Sequence, residues 1–276
     1  MAQQYPIRDL CLVLGVPPSS YYAWRRRPPS PRALENQRLR DKLSSLFVAN
    51  RQVYGSPRLT ACLRRLGIGC SRNRVARHMR ALCLRARQKR AFRPKTTDSR
   101  HDHPIAPNRL ARTAKPKAAN RVWVSDITYV HTAQGWLYLA AVMDLYSRKI
   151  VGWATSDNLK TTLVTEALKE ALASRRPRPG LLHHSDRGIQ YASSALRALL
   201  HSFRLTASMS GRGNCYDNAA MESFWSSLKT EWLHRHDFHT QQQARSAIFD
   251  YIETFYNPKR LHSALGNRSP VEFERP

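Results

Sequence analysis

Three carboxylates in this sequence stand where chemistry could be done. Asp126 lies in VWVSDITYV (122–130), a run of β-formers in which it shares one face with Val122, Val124 and Thr128. Asp186 closes LLHHSD (181–186), a buried-strand pattern, just before Arg187-Gly188. Glu222 follows in YDNAAMESFWSSLKTEW (216–232), with 35 residues between it and Asp186. That stretch lacks Gly and Pro, and it opens on Asp217 and Asn218, both good N-cap types, so a helix is expected. Met221, Phe224, Trp225 and Leu228 recur at three- and four-residue steps and would face a core, while Asn218, Glu222 and Lys229 share another face.

Clustered carboxylates raise one another's pKa values unless a cation sits among them. Hard oxygen ligands at an open site suit Mg²⁺ or Mn²⁺. Two such ions about 4 Å apart activate an attacking oxygen and stabilise a leaving one, which is phosphodiester chemistry. Lys229, two turns beyond Glu222, would then point to the substrate backbone. Asp144 also lies in an apolar run, but its place at a strand–turn junction favours a structural role. His183, His184 and Ser185 precede Asp186, yet adjacent strand residues point to alternate faces, so they cannot form a Ser-His-Asp nucleophile.

The elements that would hold these groups follow from the pattern between 121 and 276. Strands at 122–130, 136–144 and 149–155 read as a meander. A helix at 161–174, a strand at 181–186, a helix at 193–202 and a short strand at 204–208 come next, then the loop MSGRGN and the Glu222 helix. We expect that glycine-bearing loop to be mobile. A last helix from Thr240 to Tyr256 would bury Ala244, Ile248, Tyr251 and Phe255, and Asn257 to Arg260 with His262 form a polar, basic cluster beyond it. Antiparallel strands followed by alternating helices and strands make a mixed α/β sheet.

The first part of the chain has a different texture. Residues 1–120 hold 27 Lys/Arg against 5 Asp/Glu, and residues 121–276 hold 19 against 14, within a total of 276 residues and a net charge of +27. A basic half joined to a nearly balanced one reads as a polyanion-binding module attached to something else. In 7–24 a short helix ends at Gly15, Pro17-Pro18 turns the chain, and Ser19 or Ser20 caps a second helix. A polar helix from Leu34 to about Asn50 carries Leu39, Leu43 and Leu46 or Phe47. Another runs from Pro57 to Leu66 and includes Arg58. Ser71 caps a third, which puts Val75, Met79 and Leu82 inward and Arg72, Asn73, Arg74, Arg77 and Arg80 outward. Arg and Asn near the start of a second helix are groups that contact base edges in a major groove. From about Arg85 to Asn120 periodicity disappears, and a basic, extended linker ordered on DNA is expected.

The five cysteines are odd in number and never spaced C-x-x-C, which argues against a disulfide framework and a zinc site and fits a reducing compartment. Cys62 and Cys83 occupy apolar helix positions and are expected in the core. No apolar run approaches a membrane span, and no secretory signal opens the chain.

Together WVSDITYV, AVMDLYSRKIVGW, HHSDRGIQY, DNAAMESFWSSLK and YNPKRLHSALGNRSPVEF resemble the DDE transposases of bacterial insertion sequences, specifically the OrfB product of the insertion sequence 3 family. YGSPRLTACLRRLGIGCSRNRVARHMR looks like that family's helix-turn-helix. The resemblance implies an α/β, ribonuclease H-like mixed-sheet catalytic core, shared with retroviral integrases and preceded by a mostly α-helical DNA-binding region. It divides the chain into an N-terminal helical, helix-turn-helix-like segment (1–49), a helix-turn-helix DNA-binding domain (50–87), a basic linker (88–120) and the catalytic core with C-terminal helices (121–276). It makes Asp126, Asp186 and Glu222 the catalytic, metal-binding triad for two Mg²⁺ or Mn²⁺ ions. Lys229 and Asn218 join Arg58, Arg72, Asn73, Arg74 and Arg77 as expected DNA contacts. The implied activity is DNA strand cleavage and transfer at element ends. The implied partners are double-stranded DNA (terminal inverted repeats and target), further copies of the chain and an OrfA product, with a cytoplasmic, nucleoid location and no membrane. Two rivals stay open on sequence: a non-catalytic DNA-binding regulator, which does not need three carboxylates, and a ribonuclease H-type nuclease, which does not need helix-turn-helix segments.

Overall fold

The computed structural model describes residues 5–86, 104–211 and 218–275. A five-stranded sheet of order β3-β2-β1-β4-β5 forms the centre. β1 (Val122–Thr132), β2 (Gly135–Asp144) and β3 (Ile150–Ser156) are antiparallel neighbours, while β4 (Leu182–Ser185) and β5 (Thr206–Met209) join β1's other edge in parallel. Parallel pairing demands crossovers. The helices α6 (Thr161–Arg175) and α7 (Ser194–Ser202) provide them.

Successive residues of β1 feed opposite faces of the sheet. Trp123 packs with Val142, Leu168 and Leu196 under α6 and α7. Val124 packs on the other face with Leu139, Met143, Phe224 and Leu228, under α8 (Ala219–Glu231). Asp126, two residues on from Val124, therefore emerges on the α8 side. α6 lies directly on β3 because residue 152 is glycine. A Cβ there would stand 2.4 Å from both the Ala167 carbonyl oxygen and the Ala171 nitrogen.

Among the described residues five α-helices precede the sheet: α1 (Ile7–Val13), α2 (Pro18–Arg26), α3 (Pro31–Ala49), α4 (Ser56–Arg65) and α5 (Arg72–Ala81). Ser30 and Ser71 cap α3 and α5, each accepting from a backbone N–H three residues on. Leu43, Phe47, Leu59, Leu63 and Val75 belong to the same apolar cluster as Phe224 and Tyr251, so the basic helices are built onto the α8 side of the sheet. Polar contacts reinforce the junction. Arg51 pairs with Asp250 at 2.9 Å and Arg65 with Glu272 at 2.9 Å, and the Tyr54 hydroxyl accepts from the Leu261 N–H at 2.7 Å.

Several local expectations change. Pro17, not a serine, is the N-cap of α2; Pro18 takes the first helical turn, where no N–H is needed, and Ser19 and Ser20 lie inside the helix. Cys83 is exposed, just past α5 with φ 54°, whereas Cys11 is buried. The expected helix from Thr240 divides into α9 (Gln241–Phe249), closed by a Thr240–Gln243 capping box, and a π-helical stretch Asp250–Tyr256. The widened turn buries Ile252 together with Tyr251, Phe255 and Tyr256. The end of the expected linker is built into the fold, because the N–H groups of Arg109 and Leu110 donate to Ser208 Oγ on β5 at 2.9 and 3.3 Å. α10 (Pro270–Glu274) ends the described chain with a second capping box. The first part of the linker and the second half of the MSGRGN loop lie outside the described residues, as does Asp217.

Candidate active site

Asp126 comes from the middle of β1, Asp186 from the residue after β4, and Glu222 from the first turn of α8. Parallel pairing of β1 and β4 sets the first two side by side, since Val124 is in register with His184. Trp225, one turn beyond Glu222, donates its indole N–H to Asp126 Oδ2 at 3.0 Å and so draws α8 against the strand. The Ile127 N–H donates to Asp126 Oδ1 at 2.9 Å, and the Gly188 N–H to Asp186 Oδ1 at 2.9 Å. A Cβ on Gly188 would come within 3.1 Å of that same Asp186 oxygen.

These carboxylates form one electrostatic unit. Burial pushes the Asp126 carboxyl up to about 7, and Asp186 and Glu222 add to the shift against the Trp225 and Ile127 hydrogen bonds. Lys229 brings the nearby positive charge. Its ammonium lies 4.8 Å from the centre of the Tyr129 ring; burial lowers its pKa while Asp126 holds it up. Glu222 itself is exposed, and among the described residues no three acidic, histidine or cysteine side chains stand close enough to close around one ion. Asp126 and Asp186 make the inner pair, and Glu222 stands at the open edge. Oxygen donors alone, with a mutual repulsion that a cation would relieve, fit a hard divalent ion.

Two features of the site escaped the sequence reading. Tyr191 is buried with no hydrogen-bond partner on its hydroxyl, and burial, Asp126 and Asp186 all raise its pKa well above the usual tyrosine value. Its place in HHSDRGIQY, five residues after Asp186, was the available signal. The second is the pair of histidines. His183 Nε2 is hydrogen bonded to Ser125 Oγ at 2.8 Å, and burial followed by His184 depresses its pKa to about 4. His184 bonds Ser208 and Ser210 at 2.9 and 3.1 Å. Both tie strands together. Asp144 is likewise structural: it is fully buried, accepts from the Asn120 and Tyr146 N–H groups at 2.6 and 2.9 Å, and lies 3.7 Å from Arg175.

The expected DNA contacts fall into different settings. Arg72, Asn73 and Arg77 are exposed on α5. Arg74 is held by Glu35 and Asn36 of α3 at 2.9 and 2.8 Å. Arg58 points away from α5 to Glu231, at 3.7 Å, and to the Tyr54 ring. Asn218 stands at the N-cap position of α8 but makes no capping bond; it is buried, and its amide reaches the Ser125 carbonyl at 3.5 Å.

Family models describe the same parts. Integrase core domains match residues 116–215 and 204–270, and an HTH-like domain matches 34–92, a span that takes in α3 as well as α4 and α5. The transposase InsF of insertion sequence IS3A from Escherichia coli is 39% identical over 273 residues, covering 98% of this chain and 94% of InsF. The chain belongs to the insertion sequence 3 family of transposases. An uncharacterized 31 kDa protein of insertion element IS600 from Shigella sonnei is 47% identical over 264 residues, covering 96% of this transposase and 97% of that protein. A chain of the simian T-cell lymphotropic virus intasome superposes with a TM-score of 0.50 over 85% of the transposase and 75% of that chain. At 15% identity this is a likeness of fold. The core of this DDE-type transposase is thus the ribonuclease H-like mixed sheet of integrases, preceded by a helix-turn-helix-like region. No helix of the described residues is long and apolar enough to cross a membrane.

Proposed function

We propose that Asp126, Asp186 and Glu222 are the catalytic carboxylates of this transposase and hold two Mg²⁺ or Mn²⁺ ions for cleavage and joining of DNA at the ends of its element. The observation that carries this reading is the single electrostatic unit they form: a strand, a strand end and a helix N-terminus converge so that Asp126 is pushed up to about 7 by burial and its two neighbours. Such ions supply Lewis-acid charge at attacking and leaving oxygens. The Trp225 and Ile127 N–H groups fix both oxygens of Asp126, and the Gly188 N–H fixes one of Asp186. Each Asp126 oxygen keeps a second lone pair for a ligand. Lys229, half-buried over Tyr129, binds the backbone phosphate next to the scissile bond. Exposed Arg72, Asn73 and Arg77 on α5 contact the terminal repeat. Copies of the chain and an OrfA product complete the active assembly.

The test is nicking and joining of labelled element-end DNA with Mg²⁺ or Mn²⁺, with an OrfA product supplied, comparing wild type and Glu222→Gln. Metal-dependent joining by the wild type alone is expected. DNA binding without cleavage in either protein would sink the catalytic reading, and hydrolysis without joining would make the protein a nuclease.

A further inference from the structure

The face of α8 next to the carboxylates opens on a second site. Ser223, Ser226 and Thr230 lie about 100° around the helix from Glu222, Trp225 and Lys229 and line a cavity of about 410 Å³. Its other walls come from three separate parts of the chain: Arg58 on α4, Arg148 in the turn between β2 and β3, and Arg260 with His262 after the π-helical stretch. Three guanidiniums thus meet one carboxylate, Glu231. That carboxylate is already committed. Arg260 Nε and Nη2 both donate to it, as does the Tyr251 hydroxyl at 2.7 Å. Arg58 is left at 3.7 Å from Glu231 Oε1, and half-buried Arg148 has no hydrogen-bonding or ion-pairing side chain among the described residues. His262 contributes a buried Nε2 with no partner. Burial and the arginines Arg260, Arg58 and Arg148 depress its pKa to about 2, so the imidazole in the cavity wall is neutral and adds no further positive charge.

Three guanidiniums sharing one carboxylate in a partly buried space repel one another and lose hydration, a cost that a bound anion lowers. Hydroxyls, an imidazole and planar guanidiniums together are donors for a tetrahedral oxyanion. We propose that this cavity binds a backbone phosphate of DNA, clamping the strand between the helix-turn-helix-like region and the back of the helix that carries Glu222. The cavity is larger than one phosphate needs, it joins the basic α4 to α8, and Ser223 adjoins Glu222. A strand lying across the carboxylates therefore has a path over the helix into it. The inference depends on this protein binding DNA and not on which groups cut it.

The test is binding of the full chain to a labelled duplex of unrelated sequence, titrated with salt and without divalent metal. Arg148→Asn removes the guanidinium least tied to the fold, and Asn tolerates the φ of 62° at this position. Taking away one cation that neutralises a phosphate lowers the slope of log K against log salt by about one and the affinity about fivefold at 0.15 M salt. Arg148→Asn is expected to show both changes with no fall in its unfolding temperature, since it also relieves repulsion among the guanidiniums. Arg148→Lys is expected to keep the slope. Equal slopes in wild type and Arg148→Asn would overturn the proposal. So would a second result: inorganic phosphate protecting wild type but not Arg148→Asn against heat while duplex binding is the same in both, which would make the cavity a small-anion site. The readout uses neither divalent metal nor cleavage, so a failed catalytic reading does not register here.

Discussion

Two glutamates on one helix have opposite fates. Glu222, in the first turn of α8, is exposed beside Asp126; Glu231, at its last residue, is buried and surrounded by Arg260, Tyr251 and Arg58. Burial works against the charge on Arg260, yet Tyr251 and Glu231 hold its pKa above the usual arginine value. The same contrast runs across the sheet. Asp144 has two backbone donors and Arg175 nearby, while Asp126 faces two further carboxylates and is pushed up to about 7. Where this fold needs a buried carboxylate for its own sake, it supplies the cation from its own chain. Where it sets carboxylates against one another with one half-buried lysine, Lys229, nearby, there is room for a further cation from outside, and that difference separates scaffold from site.

The contrast breaks most visibly by neutralising each glutamate in turn. Glu222→Gln is expected to lower strand joining a thousandfold or more, about 4 kcal/mol in barrier, while stability in urea stays within about 0.5 kcal/mol. Glu231→Gln is expected to do the reverse. It strands Arg260 and costs about 3 kcal/mol of stability, read as a lower urea midpoint, and any loss of joining at low temperature is small by comparison. If Glu222→Gln unfolded the chain, or Glu231→Gln left the midpoint unchanged, the division between scaffold and site would be wrong.

The sequence pattern made one side of this contrast legible and hid the other. Period-two alternation in β1 and a helical stripe in α8 put Asp126 and Glu222 on the faces the structure gives them, and a turn signal marked Asp186 at a strand end. The placement of α5's exposed Arg72, Asn73 and Arg77 came from the same periodicity. Glu231 and Arg260 gave no such signal, because their pairing depends on how the π-helical stretch folds back over α8, and no local rule specifies that return. The setting of Arg58 was hidden for a related reason: its guanidinium reaches Glu231 on α8 at 3.7 Å, a contact that the helical pattern of α4 does not specify. Asn218 has the right type and position for a cap, yet its amide is drawn to the Ser125 carbonyl. Ser19 and Ser20 lost the N-cap because two prolines already fix the backbone entering α2.

The contrast sharpens with pH. The raised folded-state pKa of Asp126 means the folded protein holds that proton more tightly than the unfolded chain, whose aspartate titrates near 3.8. Without divalent metal, this group therefore contributes a loss of stability as pH rises from about 4 to about 7. Asp126→Asn is expected to be more stable than wild type at pH 8 by roughly 2 kcal/mol, an amount that allows for partial exposure, and equal to it below pH 4. Unfolding in urea at the two pH values, in EDTA, checks this. A variant no more stable at pH 8 would show that the site relieves its own repulsion.

The smallest expected effect concerns the side-chain donor that Asp126 has among the described residues. The Trp225 N–H at 3.0 Å favours the ionised carboxylate, so it opposes the burial and repulsion that raise the pKa. A hydrogen bond to a charged group contributes on the order of 1.5 kcal/mol, about one pKa unit. Trp225→Phe keeps the ring against Phe224, 4.7 Å away between centroids, and removes only the donor. Carboxyl-carbon NMR titration without metal is expected to show the Asp126 midpoint moving upward by about one unit from about 7. A cation entering the site would then have to displace that proton over a wider pH range, so half-maximal joining at pH 7 should require more Mg²⁺ in the variant than in wild type. An unmoved midpoint would mean that the indole packs beside Asp126 without holding its charge, and that α8 is seated on β1 by apolar contact alone.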